Sequence, residues 1–146
     1  MDITKAYNYK VANDLVSCSG TIKTINLKSL SDTGYEVVIN LLPDNDQHAR
    51  ENEKQELENL GIQYFHIPVE WDIPKQSDFI AFESALNSVK GKKLHIHCAA
   101  NYRVTAFYSS YAYKNLGWSK SKKGEFIASI WDISDYPIWN DFISEI

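Results

Sequence analysis

The sequence predicts an α/β fold: a mostly parallel central sheet flanked by helices. Three observations carry that expectation. The runs 35–42, 62–69 and 92–98 have strand length; the first two are rich in β-branched or aromatic residues, and the third alternates apolar and polar residues up to Cys98. Segments with helical spacing, several closed by glycine, separate them. The third of these runs ends on His97-Cys98 and leads through a few residues into another helical pattern. Strands alternating with helices pair in parallel through right-handed crossovers, and the helices cover the faces of the sheet. A length of 146 residues fits one domain over 1–146, large enough to bury a core without staples.

Each element has its own justification. Residues 13–20, NDLVSCSG, read as a short strand ending in a turn at Ser19-Gly20. Over 26–34, Leu27 and Leu30 share a helical face and Gly34 stands where a helix stops. The run YEVVINLL, 35–42, shows no polar alternation after Glu36, the mark of a strand covered on both faces. Pro43 through Asp46 end it, and Asp46 is placed to cap a charged helix over 47–60 that Gly61 terminates. IQYFHIPV, 62–69, is the next strand, followed by the loop 70–76. Ser77 and Asp78 are placed to cap a helix over 78–90 with Phe79, Phe82, Leu86 and Val89 at helical spacing. After the strand 92–98 come helices over 104–117, 122–133 and 137–146, the last with Pro137 at its start.

Composition narrows the function. The formal net charge of −4 leaves no basic footprint for nucleic acid or an anionic membrane. Lys120, Lys122 and Lys123 read as a solvated helix end. Two cysteines, Cys18 and Cys98, make no disulfide framework, and the opening MDITKAYNYKV lacks the apolar core of a secretory signal. A cytoplasmic setting is the expectation, and a reducing one keeps a thiol usable. His95 and His97 share a strand face, but no third ligand stands at metal-binding spacing, so neither a metal nor an organic cofactor is expected.

In a parallel sheet, ligands bind beyond the carboxyl ends of the strands, where loops 43–46, 70–77 and 98–103 meet. Cys98, between a strand and a helix start, faces unpaired backbone N–H groups and the positive end of the helix dipole, which favour a thiolate. The same donors, on Ala99, Ala100, Asn101, Tyr102, Arg103 and Val104, can ring a phosphate. Arg103 adds a planar fork for two of its oxygens. The competing reading is a buried cysteine that ends a strand.

HIHCAANYRVT resembles the His-Cys-loop-Arg-Ser/Thr motif of the cysteine-based protein tyrosine and dual-specificity phosphatases. Upstream, NYKVANDLVSCSGTI, YEVVINLLPDND and GIQYFHIPVEW resemble the small bacterial phosphatase-like domains of that superfamily, so the likeness spans roughly 8–116. The resemblance implies Cys98 as nucleophile, Arg103 as phosphate clamp and His97 as the histidine that tunes the cysteine. It implies Thr105 as the hydroxyl close to the sulfur. It also implies a general acid on the loop after the preceding strand, Asp72 first and Glu70 second, with Asp44 of the neighbouring loop at the same sheet end third. One departure stands out. Four residues separate Cys98 from Arg103 where the family usually has five, and the loop has no glycine. Asn101 is the residue best suited to a left-handed conformation there. Either the loop is one residue tighter or the arginine enters from another angle.

The implied reaction is phosphomonoester hydrolysis through a phosphocysteine, with a phosphoprotein or a small phosphomonoester as substrate. Two other readings remain open: a phospho-group binding module with little turnover, and a rhodanese-like sulfurtransferase. Cys18 is either structural or a partner that caps Cys98 by disulfide under oxidation.

Overall fold

The computed structural model describes residues 2–146. Five strands form one sheet in the order β1-β2-β5-β3-β4: β1 (Lys10–Val11), β2 (Val16–Ser19), β3 (Val37–Asn40), β4 (Gln63–His66) and β5 (Leu94–His97). Four strands run parallel, and only the short edge strand β1 is antiparallel to its neighbour. The central strand is β5, which pairs with β2 on one side and β3 on the other. The residue that follows it, Cys98, therefore emerges at the middle of the sheet's carboxyl edge.

Successive side chains on a strand point to opposite faces, and this period sorts the core into two layers. On one face Val16, Cys18, Val37, Ile39, Leu94, Ile96 and Cys98 join apolar side chains from α3 (Gln76–Ser88), α4 (Tyr102–Asn115), α5 (Lys120–Ala128) and α6 (Pro137–Ser144). On the other face Val38 packs with Leu27 and Leu30 of α1 (Thr24–Asp32) and Leu57 of α2 (Glu53–Asn59). His95 and His97 of β5 turn toward this second layer, opposite to Cys98.

Several details differ from the sequence-based expectations. The helix expected over 122–133 is α5, which ends at Ala128. Lys123, read as part of a solvated helix end, is buried, with Nζ donating to Ile143 O at 2.9 Å. The hairpin partner β1 has no apolar alternation to announce it; it forms because Ala12 and Asn13 N–H both reach Val16 O in a tight turn. The helix expected over 47–60 is only α2, 53–59. Residues 47–52 form turns instead, since Asp46 Oδ1 accepts the His48 N–H and Asn52 takes a left-handed backbone at φ 61°. Asp46 therefore caps a turn. Asp78 sits inside the first turn of α3 and accepts the Lys75 N–H at 3.1 Å, so that helix begins earlier than expected, at Gln76.

Candidate active site

The loop from Cys98 to Asn101 joins the central strand to α4, and its polar groups are divided between two sides. The carbonyls are taken by the protein: Ala99 O accepts from Thr21 N at 2.9 Å and Thr21 Oγ1 at 3.0 Å, and Ala100 O accepts from Asn8 Nδ2 at 3.0 Å. The donors are not. Cys98 N–H reaches Ser19 O at 3.3 Å and Thr105 N–H reaches Asn101 O at 3.1 Å. Between them, among the described residues, the N–H groups of Ala99 through Val104 have no protein acceptor. Six consecutive free donors at a helix start make a receptor for an oxyanion.

Asn101 makes the bend possible. Its backbone is left-handed at φ 68°, as the sequence led us to expect, and it immediately precedes α4. Its Nδ2 donates to Asn8 O at 2.8 Å and to Cys18 Sγ at 3.5 Å, while Oδ1 is buried with no partner among the described residues. Gly20 supports the loop from behind. A Cβ there would lie 2.4 Å from Ala99 O and 2.9 Å from Ala100 Cα, so any side chain would displace the loop.

Cys98 has no solvent exposure, lies at the base of the loop and belongs to the same buried cluster as Val69, Val104 and Phe107. Ala99 and Ala100 above it are partly exposed. Cys18 is also buried and free, and burial pushes its thiol up to about 12. That keeps Cys18 a neutral packing residue at ordinary pH.

Arg103 is 7% exposed and firmly held. Its Nε donates to Val69 O at 2.8 Å and its guanidinium lies 5.3 Å from the centre of the Trp71 ring. The two terminal nitrogens have no protein acceptor among the described residues, so they remain available to an anion. The arginine is thus tied to the segment that carries Glu70 and Asp72. Trp71 anchors that segment: its carbonyl accepts from Trp139 Nε1 at 2.8 Å, and its ring packs against Tyr102, Trp131, Tyr136 and Trp139. Asp72 and Glu70 are both exposed on it. Asp44, on the neighbouring loop, is 90% exposed and 3.9 Å from His66 Nδ1.

Thr105 departs from the role implied by resemblance. Its Oγ1 donates to Asn101 O at 2.8 Å, with Tyr102 O also near at 3.1 Å, and accepts from Trp131 Nε1 at 2.9 Å. It makes no hydrogen bond to Cys98. A threonine in the first turn of a helix reaches the preceding carbonyls readily, and here that contact consumes its proton.

One residue of the site escaped the sequence reading. Glu53, at the start of α2, places Oε2 2.9 Å from His97 Nε2, and both side chains are 4% exposed. Burial by itself would raise this carboxyl, but His97, with smaller contributions from Tyr64 and Arg50, holds it down at about 2. His97 Nδ1 is buried without a partner among the described residues. The sequence carried one signal, Asn52, a residue type that breaks a helix just before Glu53; nothing in it links a residue of a charged segment to a histidine 44 positions away. His95 is held between Ser17 Oγ and Ser19 Oγ, each at 2.8 Å, and burial lowers it to about 3, so it is neutral. Among the described residues no three potential ligands gather for a metal.

No family model and no curated protein matches the chain. Solved structures do. A DUF442 phosphatase candidate from Shewanella putrefaciens CN-32 is 30% identical, with TM-score 0.90 over 98% of this chain and 93% of that one. A P. aeruginosa TpbA variant in complex with pTyr matches at 14% identity and TM-score 0.74, over 93% of this chain and 82% of that one. The core catalytic domain of the S. cerevisiae PP-IP phosphatase SIW14, solved with citrate, matches at 14% identity and TM-score 0.75, over 95% and 85%. The last two share the fold.

Proposed function

Given that this chain belongs to the DUF442 family of phosphatase-like proteins, we propose that it hydrolyses phosphomonoesters through a phosphocysteine formed on Cys98. The observation that carries this reading is the row of six unpaired amide donors directly after Cys98, beside a buried arginine with two free nitrogens. Donors fixed before substrate arrives stabilise the charge of a transferring phosphoryl group without reorganisation, and removal of one such donor typically costs about 100- to 1000-fold in rate.

In the first step the Cys98 thiolate attacks phosphorus in line, a P–S bond forms and the ester P–O bond breaks. The leaving oxygen takes a proton from Asp72, which occupies the segment tied to Arg103 through Val69. In the second step water attacks the phosphocysteine, Asp72 accepts its proton, and the sulfur departs as thiolate. Arg103 and the amides of residues 99–104 hold the non-bridging oxygens throughout. His97, fixed by Glu53, orients the end of β5. Thr105 acts as a positioning residue that joins the loop to Trp131. No step requires a metal or organic cofactor. A phosphorylated protein or small molecule is the substrate class, and the bound pTyr of TpbA is compatible with it.

A second reading, an oxyanion-binding module without turnover, is favoured by the complete burial of Cys98 and by the commitment of Arg103 Nε to Val69 O. One experiment separates the two. Wild-type protein turns over p-nitrophenyl phosphate, and Cys98→Ser loses that activity while still binding inorganic phosphate in a thermal-shift titration. Full activity in Cys98→Ser contradicts the mechanism. Phosphate binding with no wild-type turnover selects the binding module.

A further inference from the structure

Beside the phosphate-binding loop lies a groove of about 440 Å³ that the proposed chemistry does not use. Ala99 and Ala100, the two residues after Cys98, form one wall. The others come from three separate segments: Lys5, Thr21 with Lys23, and His48. Each is set by local structure. Asp2 Oδ1 accepts the Thr4 N–H and fixes the short turn that ends at Lys5. Asn26 Oδ1 accepts the Lys23 N–H at 2.9 Å, just before α1, and Asp46 Oδ1 accepts the His48 N–H at 2.8 Å. Among the described residues no carboxylate lines this groove, and neither Lys5 nor Lys23 forms an ion pair. In a chain of formal net charge −4, this leaves local, uncompensated positive charge next to an anion receptor.

We propose that the groove is a second anion subsite and that the substrate is a small molecule with two or more phosphoryl groups, one seated on the amides of 99–104 and another on Lys5 and Lys23. The choice of which phosphoryl group is cleaved rests on the hydrolase reading above; the subsite itself does not. The volume lies in the range of small-molecule pockets. Lysine ammonium groups suit a phosphoryl group as mobile point charges, and His48 adds a further donor at the edge.

The test is calorimetric titration of the full chain with orthophosphate and with tripolyphosphate at low ionic strength. The wild type binds tripolyphosphate about tenfold more tightly, as expected for partly screened lysine contacts. Lys5→Ala with Lys23→Ala brings that ratio down to about two, and His48→Ala, made separately, lowers it by a smaller factor. A wild-type ratio near one overturns the proposal, as does a ratio that the double variant leaves unchanged. A phosphotyrosine peptide bound as tightly as tripolyphosphate, and insensitive to the double substitution, also overturns it. If the ratio behaves as expected but wild-type protein does not hydrolyse p-nitrophenyl phosphate, the subsite stands and the hydrolase reading falls.

Discussion

At the scale of single residues, two side chains do work that no motif advertises. Thr105 Oγ1 is the acceptor for Trp131 Nε1, and Trp131 is 5% exposed. Thr105→Val keeps the shape and strands that indole N–H, so stability falls by about 1–3 kcal/mol in urea denaturation. The second is Glu53. Its folded-state pKa is depressed to about 2, so its contribution is fully present above the ordinary carboxylate range and is lost as the pH falls toward 2. At pH 7, Glu53→Gln costs about 1.5–3 kcal/mol, since it replaces the charged acceptor of a buried hydrogen bond with His97. In denaturation series from pH 7 to pH 2.5, the gap between wild type and variant narrows below about pH 4.5. A gap that is constant with pH would show that Glu53 is not held as a carboxylate. Cys98, Arg103 and Asn101 could be read from the sequence because each sits at a fixed offset within one short loop. Glu53 could not, because its partner comes from a distant strand.

At the scale of elements, the loop is shaped from outside itself. Its carbonyls are held by Asn8 and Thr21, and Gly20 leaves room for it to pass. Gly20→Ala forces the backbone of Ala99 and Ala100 to move, since a Cβ at 2.4 Å from a carbonyl oxygen cannot be accommodated. A displacement of even about 1 Å costs about 100-fold in turnover, which steady-state assays with p-nitrophenyl phosphate will detect. Unchanged kinetics would mean that the loop tolerates the shift. The sequence led us to expect a turn at Ser19-Gly20; β2 runs through Ser19 and bends only at Gly20, and the sequence could not show what the glycine meets, for that contact joins the end of β2 to the loop after β5. The β3 and β4 runs were legible through their β-branched and aromatic content, and the β5 run through its alternation of apolar residues with histidines. The two-residue β1 was not, being set by a turn and an edge pairing, and 47–52 carried a helical charge pattern that the left-handed Asn52 overrules.

At the scale of the whole molecule, the site joins both layers of the fold. The layer of α1 and α2 supplies Glu53 behind His97, and the layer of α3–α6 supplies the aromatic cluster that holds Trp71 and, through it, Arg103 and Asp72. The C-terminal helices, which match no motif, thereby become part of the site's support: Trp139 of α6 holds the Trp71 carbonyl. Among the described residues no helix is long and apolar enough to cross a membrane. In the proposed mechanism all of this serves to deliver one sulfur to the base of an oxyanion receptor, and the structure leaves that sulfur with no exposed surface. Alkylation with iodoacetamide, mapped by peptide mass with and without inorganic phosphate, tests that point directly. The account predicts that Cys98 is modified in the folded protein, that phosphate slows its modification, and that Cys18, with its thiol pushed up to about 12, stays intact. Modification of neither cysteine before unfolding, or a Cys98 rate that phosphate leaves unchanged, would contradict it.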